Sequence, residues 1–375
     1  MALKDISSST IVIDNGSGTL KSGLAGTSTI CTVPSMVGRP RHSGVMVGMW
    51  QNGRPFTGFK CKKFRGIVTT KYPIQHIVIS NWDDMETLWK DTIYNELHLE
   101  PKEHSMLLTE PPLNPLRNRE KMTEIMFEAF EIPALLICTN SILSLFASGR
   151  TTGLVIDSGD GASYTVPIFK NHSLNNAVIR SDINGRDITG YMMKILEERG
   201  YTLATTPDRD IVNDIKEKLG YVALDFEEEM NKKYSQVNRH YELNSGIITI
   251  GNERFRCAEP IFNPSYLGMS IAGLQDTAYH SIMKCDVEIR NYLFSNIVLS
   301  GGNTMFPGMR ERMQRDIQQL APKGVQVNVI SPPERHYSAW RGGAMLAKMD
   351  NFLSMCITSQ EYNEIGPWIV HRKCL

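Results

Sequence analysis

The sequence predicts an α/β fold in which two halves repeat one design. Segments 10–18 (TIVIDNGSG) and 153–161 (GLVIDSGDG) each combine a β-branched run, an Asp and a glycine-rich turn, which is the pattern of a strand that enters a tight turn. A related segment, 296–304 (NIVLSGGNT), places a glycine pair after a strand-like run. Strand-like and helical stretches alternate in both halves, so we expect a sheet flanked by helices in each.

The first half opens with a predicted hairpin. The run 10–14 predicts one strand, and 20–24 predicts a second strand that returns from the turn. Further along, the stretch 84–97 predicts an amphipathic helix, because its apolar residues recur near the helical period. Asp83 and Glu86 resemble a capping box at the start of this helix.

The second half repeats the hairpin and adds further helices. Residues 163–169 predict the strand that returns from the second turn, and 307–319 predict a helix after the glycine pair. Two stretches look like insertions on this frame. The first covers 35–72, and the second covers 184–269, a mostly helical block that ends in a predicted hairpin over 247–256.

Composition limits the class of protein. The 375 residues include 40 Lys plus Arg and 40 Asp plus Glu, so the formal net charge is zero, and 41% of residues are hydrophobic. This balance excludes a disordered chain and disfavours non-specific nucleic-acid binding through whole-molecule charge. Seven scattered cysteines with no C-x-x-C pair give no sign of zinc or a redox dithiol and predict a reducing compartment. The longest apolar stretch, 132–147, is interrupted by polar residues and does not predict a membrane span.

The repeated hairpins indicate phosphate and metal chemistry. Glycine-rich turns let backbone N–H groups approach phosphate oxygens, and Asp14 or Asp157 beside such a turn could hold Mg²⁺ through water. Lys21 adds a point charge for a β- or γ-phosphate. One such turn alone is more often an ordinary hairpin, but two of them plus the third glycine element favour a nucleoside triphosphate. The pattern is neither a Walker A loop nor a dinucleotide fingerprint.

Many further segments carry a resemblance that covers the chain from about residue 10 to its end. They are 44–49, 81–86, 107–111, 118–122, 147–153, 214–218, 250–257, 281–286, 299–302, 332–335 and 371–374. Together with the two hairpins, they make the sequence resemble the actin family. The resemblance implies the actin-like fold shared with Hsp70 and sugar kinases, in which two duplicated α/β halves form four subdomains around a nucleotide cleft. It also implies bound ATP or ADP with Mg²⁺ or Ca²⁺.

The resemblance assigns boundaries to the four subdomains. Subdomain 1 would comprise 1–34, 73–147 and 338–375; subdomain 2, 35–72 with a docking loop at 41–52; subdomain 3, 148–183 and 270–337; and subdomain 4, 184–269. Self-association through the docking loop and through a plug at 262–273 is implied, and His76 matches a position that many actins methylate.

The resemblance also assigns the nucleotide site residue by residue. The first phosphate loop matches Asp14, Gly16, Ser17, Gly18, Thr19, Leu20 and Lys21, and the second matches Asp157, Ser158, Gly159, Asp160, Gly161 and Ala162. The adenosine pocket matches Gly185, Asn213, Lys216, Glu217, Gly301, Gly302, Met305, Phe306 and His336. Asp14 and Asp157 would hold the divalent cation through water.

Two positions depart from the family at the centre of hydrolysis. Actins use a Gln and a His to orient the attacking water, and the matching residues here are Asn140 and Tyr164, beside Asp157. The Asn amide is one methylene shorter, and a Tyr with its ordinary pKa near 10 is a poor proton acceptor at neutral pH. Loss of such groups costs on the order of 10²- to 10⁴-fold in rate. The alternative is neutral drift that other groups compensate, but we expect at most a weak ATPase.

The adenosine pocket and the outer surface depart as well. Asn213, Phe306 and His336 stand where actins carry Arg, Tyr and Lys, and we expect nucleotide binding to be retained. The acidic pairs used by myosin are replaced, for example by Lys102 and Glu103, so conventional myosin is not expected as a partner. The basic run 60–65 could meet an acidic partner, such as a tubulin tail or nucleic acid, although such runs are more often solvated faces.

These observations predict an ATP-binding cytoskeletal protein of the actin family that forms filaments or serves as a scaffold and hydrolyses ATP slowly. The alternative is a monomeric actin-like subunit of a larger complex, such as a ciliary dynein arm or a chromatin remodeller. The full-length resemblance to actin and the docking loop disfavour a sugar kinase on the same fold. We expect actin-binding or axonemal partners and a cytoplasmic, cytoskeletal location, with the cilium and the nucleus as alternatives and no membrane association.

Overall fold

The computed structural model describes residues 10–41, 55–64, 66–75, 77–203, 205–243 and 246–374. They form an α/β protein of two compact units, of which one comprises Met1–Arg150 with Tyr337–Leu375 and the other comprises Thr151–His336. The α/β class predicted from the sequence is confirmed. His76 and the predicted docking loop beyond Arg41 lie outside the described residues. The division into four subdomains stays a prediction.

The first unit is built on a six-stranded sheet in the order β19-β10-β9-β1-β2-β3. Its strands are β1 (Ile11–Asn15), β2 (Thr19–Leu24), β3 (Cys31–Pro34), β9 (Met106–Glu110), β10 (Ala134–Thr139) and β19 (Ile357–Thr358). β1 runs antiparallel to β2 and parallel to β9, and Asp14 pairs with Lys21 across the hairpin. The hairpin therefore follows the sequence prediction closely.

The helices of the first unit pack on its sheets, and most of them bury the β-branched and aliphatic side chains of the six-stranded sheet. They are α1 (Gly58–Lys63), α2 (Trp82–Lys90), α3 (Leu116–Glu128), α4 (Asn140–Ala147), α13 (Ser338–Leu346), α14 (Phe352–Met355), α15 (Ser359–Ile365) and α16 (Val370–Lys373), with a π-helical turn at Asp91–Glu96 and 3₁₀ turns at Pro101–Glu103 and Pro367–Ile369. The capping box expected at Asp83 is wrong. Asn81 caps α2, because its side chain accepts a hydrogen bond from the Asp84 N–H.

The predicted insertion at 35–72 contains a small three-stranded sheet in the order β5-β4-β6. Its strands are β4 (Val37–Pro40), β5 (Phe56–Thr57) and β6 (Val68–Lys71), and a two-stranded ribbon of β7 (Ile74–Gln75) and β8 (Val78–Ile79) follows. Helix α1 lies between β5 and β6 in the chain and packs on this sheet through Cys61, which is fully buried.

The second unit repeats the central sheet. Its order is β13-β12-β11-β17-β18, with one more strand, β14, on β12. The strands are β11 (Gly153–Ser158), β12 (Ser163–Phe169), β13 (His172–Ser173), β14 (Ile179–Ser181), β17 (Ile297–Ser300) and β18 (Val329–Ile330). The register of β11 with β12 pairs Asp157 with Tyr164. Asp157 is thus the penultimate residue of its strand, as Asp14 is of β1, and the repeat seen in the sequence is a repeat in structure.

Helices and one separate hairpin complete the second unit. The helices are α5 (Gly185–Glu198), α6 (Thr206–Leu219), α7 (Phe226–Met230), α8 (Tyr234–Val237), α9 (Glu253–Arg256), α10 (Leu274–Met283), α11 (Val287–Ser295) and α12 (Met309–Leu320), with 3₁₀ turns at Asn175–Ala177, Glu259–Ile261, Pro264–Leu267, Gly302–Met305 and Arg335–Tyr337. The hairpin expected over 247–256 is wrong. Strand β16 (Gly246–Ile250) pairs with the preceding β15 (Arg239–Leu243), and the segment after it forms helix α9.

In the part of the chain that the structure describes, no helix is both long enough and apolar enough to cross a membrane.

Candidate functional site

The first hairpin fixes a carboxylate at the end of β1. Asp14 is buried, and each of its oxygens accepts one hydrogen bond: Lys21 Nζ donates to Oδ2 at 2.8 Å and Thr109 Oγ1 donates to Oδ1 at 2.8 Å. Lys21 is its cross-strand partner, so the two side chains lie on one face of the hairpin. The carboxylate is therefore held in one orientation by two different strands.

The turn after Asp14 is rigid. The Gly16 N–H donates to the Asp14 carbonyl at 3.1 Å, and the Ser35 hydroxyl donates to the Gly16 carbonyl at 2.6 Å. The Ser35 N–H donates to the Gly18 carbonyl at 3.0 Å. An added Cβ at Gly16 would collide with the Thr19 carbonyl oxygen. The turn consequently requires glycine at this position.

The second hairpin is tied to its surroundings in an analogous way. The hydroxyls of Ser158 and Ser163 lie 2.7 Å apart, and the Gly159 N–H donates to the Ala162 carbonyl at 3.1 Å. Asn303 Nδ2 donates to the Gly159 carbonyl at 2.8 Å, which connects this turn to the third glycine element. The two glycine segments predicted separately from the sequence are in direct contact within the second unit.

Gly301 lies directly against the backbone of the second hairpin. Its φ of +89° and ψ of 159° belong to a conformation that essentially only glycine adopts. An added Cβ would collide with the Ser158 carbonyl oxygen and would lie 2.6 Å from Asp157 Oδ1. At the neighbouring Gly302, an added Cβ would meet no atom within 4 Å. The first glycine is therefore required by packing, while the second borders open space.

The residues assigned to the adenosine pocket on α5 and α6 form one hydrogen-bonded network. Lys216 Nζ donates to the Gly185 carbonyl at 3.3 Å and to Thr189 Oγ1 at 3.0 Å, and Asn213 Nδ2 donates to Glu217 Oε1 at 2.7 Å. Thr189 Oγ1 also donates to Asn213 Oδ1 at 3.1 Å. Burial lowers the pKa of the Lys216 ammonium. The network places a nearly buried cation beside the start of α5.

Three other residues assigned to the adenosine pocket lie outside α5 and α6. Met305 and Phe306 follow the glycine pair, and His336 is the last residue of the second unit. Phe306 is buried, and an added Cβ at Gly220 would approach its ring to 2.6 Å, so the ring lies directly against that backbone. Met305 and His336 are half-buried. Phe306 thus packs mainly against the protein, and it presents little of its surface for stacking on a base.

The expected water-positioning pair is divided between the two units. Asn140 begins α4 in the first unit, and its Oδ1 accepts a hydrogen bond from the Ser141 hydroxyl at 3.3 Å. Tyr164 belongs to the second unit and is 6% exposed. Burial raises the pKa of the Tyr164 phenol, although the positive charge of Arg180 opposes this shift. The phenol stays protonated at neutral pH and is unsuited to accept a proton.

Three residues that support the site were not predicted as members of it. Thr109 binds Asp14, Asn303 binds Gly159, and Arg186 forms a 2.7 Å ion pair with Asp160. Thr109 and Asn303 lie inside segments that the sequence analysis singled out, at the end of a strand-like run and directly after the glycine pair. Nothing local to Arg186 distinguishes it from an ordinary surface arginine.

A comparison with the models of known protein families matches residues 6–375, essentially the whole chain, to the family described as Actin. The chain belongs to the actin family. The resemblance stated from the sequence is confirmed, and so is the actin-like α/β fold. Members of the actin family generally bind a nucleotide and a divalent metal ion, and they are typically cytoskeletal proteins that self-associate or bind actin-binding partners.

The residues present fit a nucleotide with its metal ion. Gly302 borders open space, and an added Cβ at Gly159 would meet nothing closer than the Ala162 carbonyl oxygen at 3.8 Å, so there is room beside these two glycines. Among the described residues, no group of three or more His, Cys, Asp or Glu side chains could hold a metal ion directly. Single carboxylates that bind Mg²⁺ through its water shell are the arrangement expected for this ion.

Proposed function

We propose that this protein is an ATP-binding cytoskeletal actin-like protein that forms filaments or serves as a scaffold, with slow ATP hydrolysis. One observation carries the proposal: each unit contains the same hairpin, in which an Asp at the end of a strand precedes a glycine turn locked by hydrogen bonds. Asp14 and Asp157 occupy equivalent places in the two hairpins. A duplicated pair of this kind suits a ligand that carries several phosphates.

The chain offers a defined role for each part of the site. Backbone N–H groups of the turns at 14–18 and 157–161 would bind phosphate oxygens, and Lys21 would supply positive charge beside them. Lys216 would belong to the adenosine pocket. Asp14 and Asp157 would hold Mg²⁺ or Ca²⁺ through water. The bound cation would neutralise phosphate charge. Thr109 and Asn303 would keep the first and second turns in their binding conformations.

Slow hydrolysis follows from the residues expected to orient the attacking water. Asn140 is short, and its amide oxygen is already engaged by Ser141. The Tyr164 phenol is buried, and burial raises its pKa, so it does not accept a proton readily. Positioned proton-transfer groups typically contribute 10²- to 10⁴-fold, and their replacement would leave the bound nucleotide as ATP for longer.

Self-association is supported by the segment assigned as the plug. Tyr266 and Ile271 are exposed by 39% and 46%, while Phe262 at the start of the segment is buried. Gln275 Nε2 donates to the Phe262 carbonyl at 3.1 Å and so anchors that end. The segment therefore presents apolar side chains from a fixed base, as a surface that contacts another subunit would.

The decisive experiment follows thermal unfolding and sedimentation of the whole protein with ATP and Mg²⁺. We expect millimolar ATP to raise the melting temperature and Asp14→Asn to reduce this rise, because the carboxylate would no longer hold the cation. The control Asp350→Asn removes the same charge from an exposed residue of the same unit and should keep the full rise. If millimolar ATP does not raise the melting temperature of the unaltered protein, the proposal that it binds a nucleotide is overturned.

Sedimentation then separates the two kinds of assembly. A filament-forming protein should enter the pellet with ATP and Mg²⁺, and substitution of Ile271 by Asp should keep it in the supernatant. A protein that binds ATP but stays soluble at every concentration would instead be a monomeric subunit of a larger complex.

A further inference from the structure

One long stretch of the chain carries charge of a single sign. Between Asp14 and Asp83 there is no Asp or Glu, whereas eight Lys and Arg residues lie within 35–72. The complete chain has zero net charge, so the remainder of the sequence is acidic in compensation. Protein surfaces ordinarily intersperse the two signs, because like charges repel one another. A segregated basic stretch is therefore costly unless something uses it.

The fold turns several of these cations toward solvent. Helix α1 is anchored by Cys61, whose Sγ lies 3.0 Å from the Phe56 carbonyl oxygen, and an added Cβ at Gly38 would approach the same sulfur to 3.1 Å. With Cys61 buried in the sheet, its neighbours on the helix face outward. The described cations exposed on this small sheet, on its helix and directly after β4 are Arg41, Lys60, Lys62, Lys63 and Lys71, and we call them the basic surface.

An exposed aromatic side chain accompanies the basic surface. Phe59 is 60% exposed and directly precedes Lys60, so an apolar ring stands among the ammonium groups. Next to it, Lys63 Nζ lies 5.7 Å from the centroid of the Phe64 ring, and that ring packs on Phe56 with centroids 5.2 Å apart. The lysines are thus presented from an ordered aromatic base and not from a disordered tail.

Neighbouring carboxylates neutralise only part of this charge. The buried Asp84 binds Arg39, and Asp91 lies 3.6 Å from Lys60, whose side chain remains 56% exposed. Asp91 also accepts a hydrogen bond from Thr57 and so is shared. Arg41, which follows β4, is exposed, as are Lys63 on α1 and Lys71 on β6, and none of these segments contributes a carboxylate of its own.

We propose that the basic surface binds an acidic, flexible segment of a partner protein, rich in Glu or Asp and carrying an apolar residue that packs on Phe59. A short acidic peptide interacts only with charges within about one Debye length, which is ~8 Å at physiological ionic strength. Because it is flexible, it can follow the lysines of the basic surface.

Nucleic acid fits this surface less well. Duplex DNA is stiff and carries one charge per ~1.7 Å along its whole length, so it cannot adapt its charge to a small cluster of lysines as a short flexible peptide can. Phosphate recognition also favours the bidentate guanidinium fork, and Arg39 is committed to Asp84, while most cations of the basic surface are lysines.

The test measures binding of a fluorescent twenty-residue glutamate-rich peptide with one central Leu to the whole protein, by anisotropy over a salt series. We expect saturable binding that weakens steeply as salt rises. Reversal of three charges in Lys60→Glu, Lys62→Glu and Lys63→Glu should weaken it at least about tenfold, the combined effect of several surface ion pairs. The milder triple change of the same lysines to Gln, which removes their charge without reversing it, should also weaken peptide binding. A loss of binding in both variants would show that the effect does not come from misfolding of α1.

A matched control reverses the same amount of charge elsewhere. Lys194→Glu, Lys284→Glu and Lys323→Glu are exposed positions of the other unit and should leave peptide affinity within about twofold. Phe59→Ala should weaken the Leu-containing peptide but not one without Leu. Equal losses in control and test variants, no binding by the unaltered protein, or tighter binding of a single-stranded oligonucleotide of equal charge would each overturn the proposal. Retained ATP stabilisation in the test variants would show that this result is separate from the nucleotide site.

Discussion

Gly301 is the position where the structure makes its strongest quantitative prediction. Substitution by Ala would force a non-glycine residue into φ +89° and ψ 159°, at about 1–3 kcal/mol. The new methyl group would also overlap the Ser158 carbonyl oxygen and press on Asp157 Oδ1, and overpacking of this kind costs about 1–3 kcal/mol more. We therefore expect Gly301→Ala to lower the free energy of unfolding by about 2–6 kcal/mol.

Gly302→Ala is the matched control for this prediction. It adds the same methyl group one residue later, where no atom lies within 4 Å and the backbone lies outside the left-handed region. We expect its free energy of unfolding to stay within about 1 kcal/mol of the unaltered protein.

The assay is thermal unfolding of the unaltered protein and both variants side by side, with and without ATP and Mg²⁺. For a unit of this size, each kcal/mol shifts the melting temperature by about 2–4 °C, so a loss of about 2–6 kcal/mol should make Gly301→Ala melt roughly 4–24 °C lower. Its rise with ATP should also shrink, because the methyl group displaces Asp157. Equal melting temperatures for the two variants would refute the packing argument, and a lowered melting temperature with an undiminished ATP rise would refute only the role given to Asp157.

Two further predictions concern turnover and partners. Restoring Gln and His through Asn140→Gln with Tyr164→His should raise the rate of phosphate release at least about tenfold, measured in a coupled phosphate assay on assembled protein. If the double substitution leaves the rate unchanged, other groups position the water. The same conclusion follows if the unaltered protein releases phosphate as fast as a conventional actin assembled alongside it. The protein should neither bind nor activate conventional myosin, because Lys102 and the pair Thr27 and Ser28 replace acidic pairs. If the protein co-sediments with a myosin head and ATP reverses this co-sedimentation, the surface argument is wrong.

The sequence analysis was most accurate where contacts are local. Both hairpins were located to within about a residue, because a β-branched run, a turn and a returning strand are set by neighbours in the chain.

The sequence analysis was wrong where a strand could pair with either of two neighbouring segments, or where a helix could be capped by any of several neighbouring residues. The apolar run at 247–250 was given the following residues as its partner, but those residues form α9 and the run pairs with β15 before it. The cap of α2 was misplaced by two residues for the same reason, since Asn81, Asp83 and Asp84 are all good capping residues.

The sequence alone therefore determined the family, the α/β class and the residues from which the two glycine turns are built. It could do so because turns need glycine and strands need β-branched residues wherever they occur in a protein. Only the tertiary structure decided what holds those turns in place: Thr109 reaches Asp14 across 95 positions of the chain, and Asn303 reaches Gly159 across 144. The same holds for Gly301, whose need for glycine arises from the Ser158 backbone on a neighbouring strand. Contacts between distant residues depend on how sheets and helices pack, and no local pattern in the sequence encodes that packing.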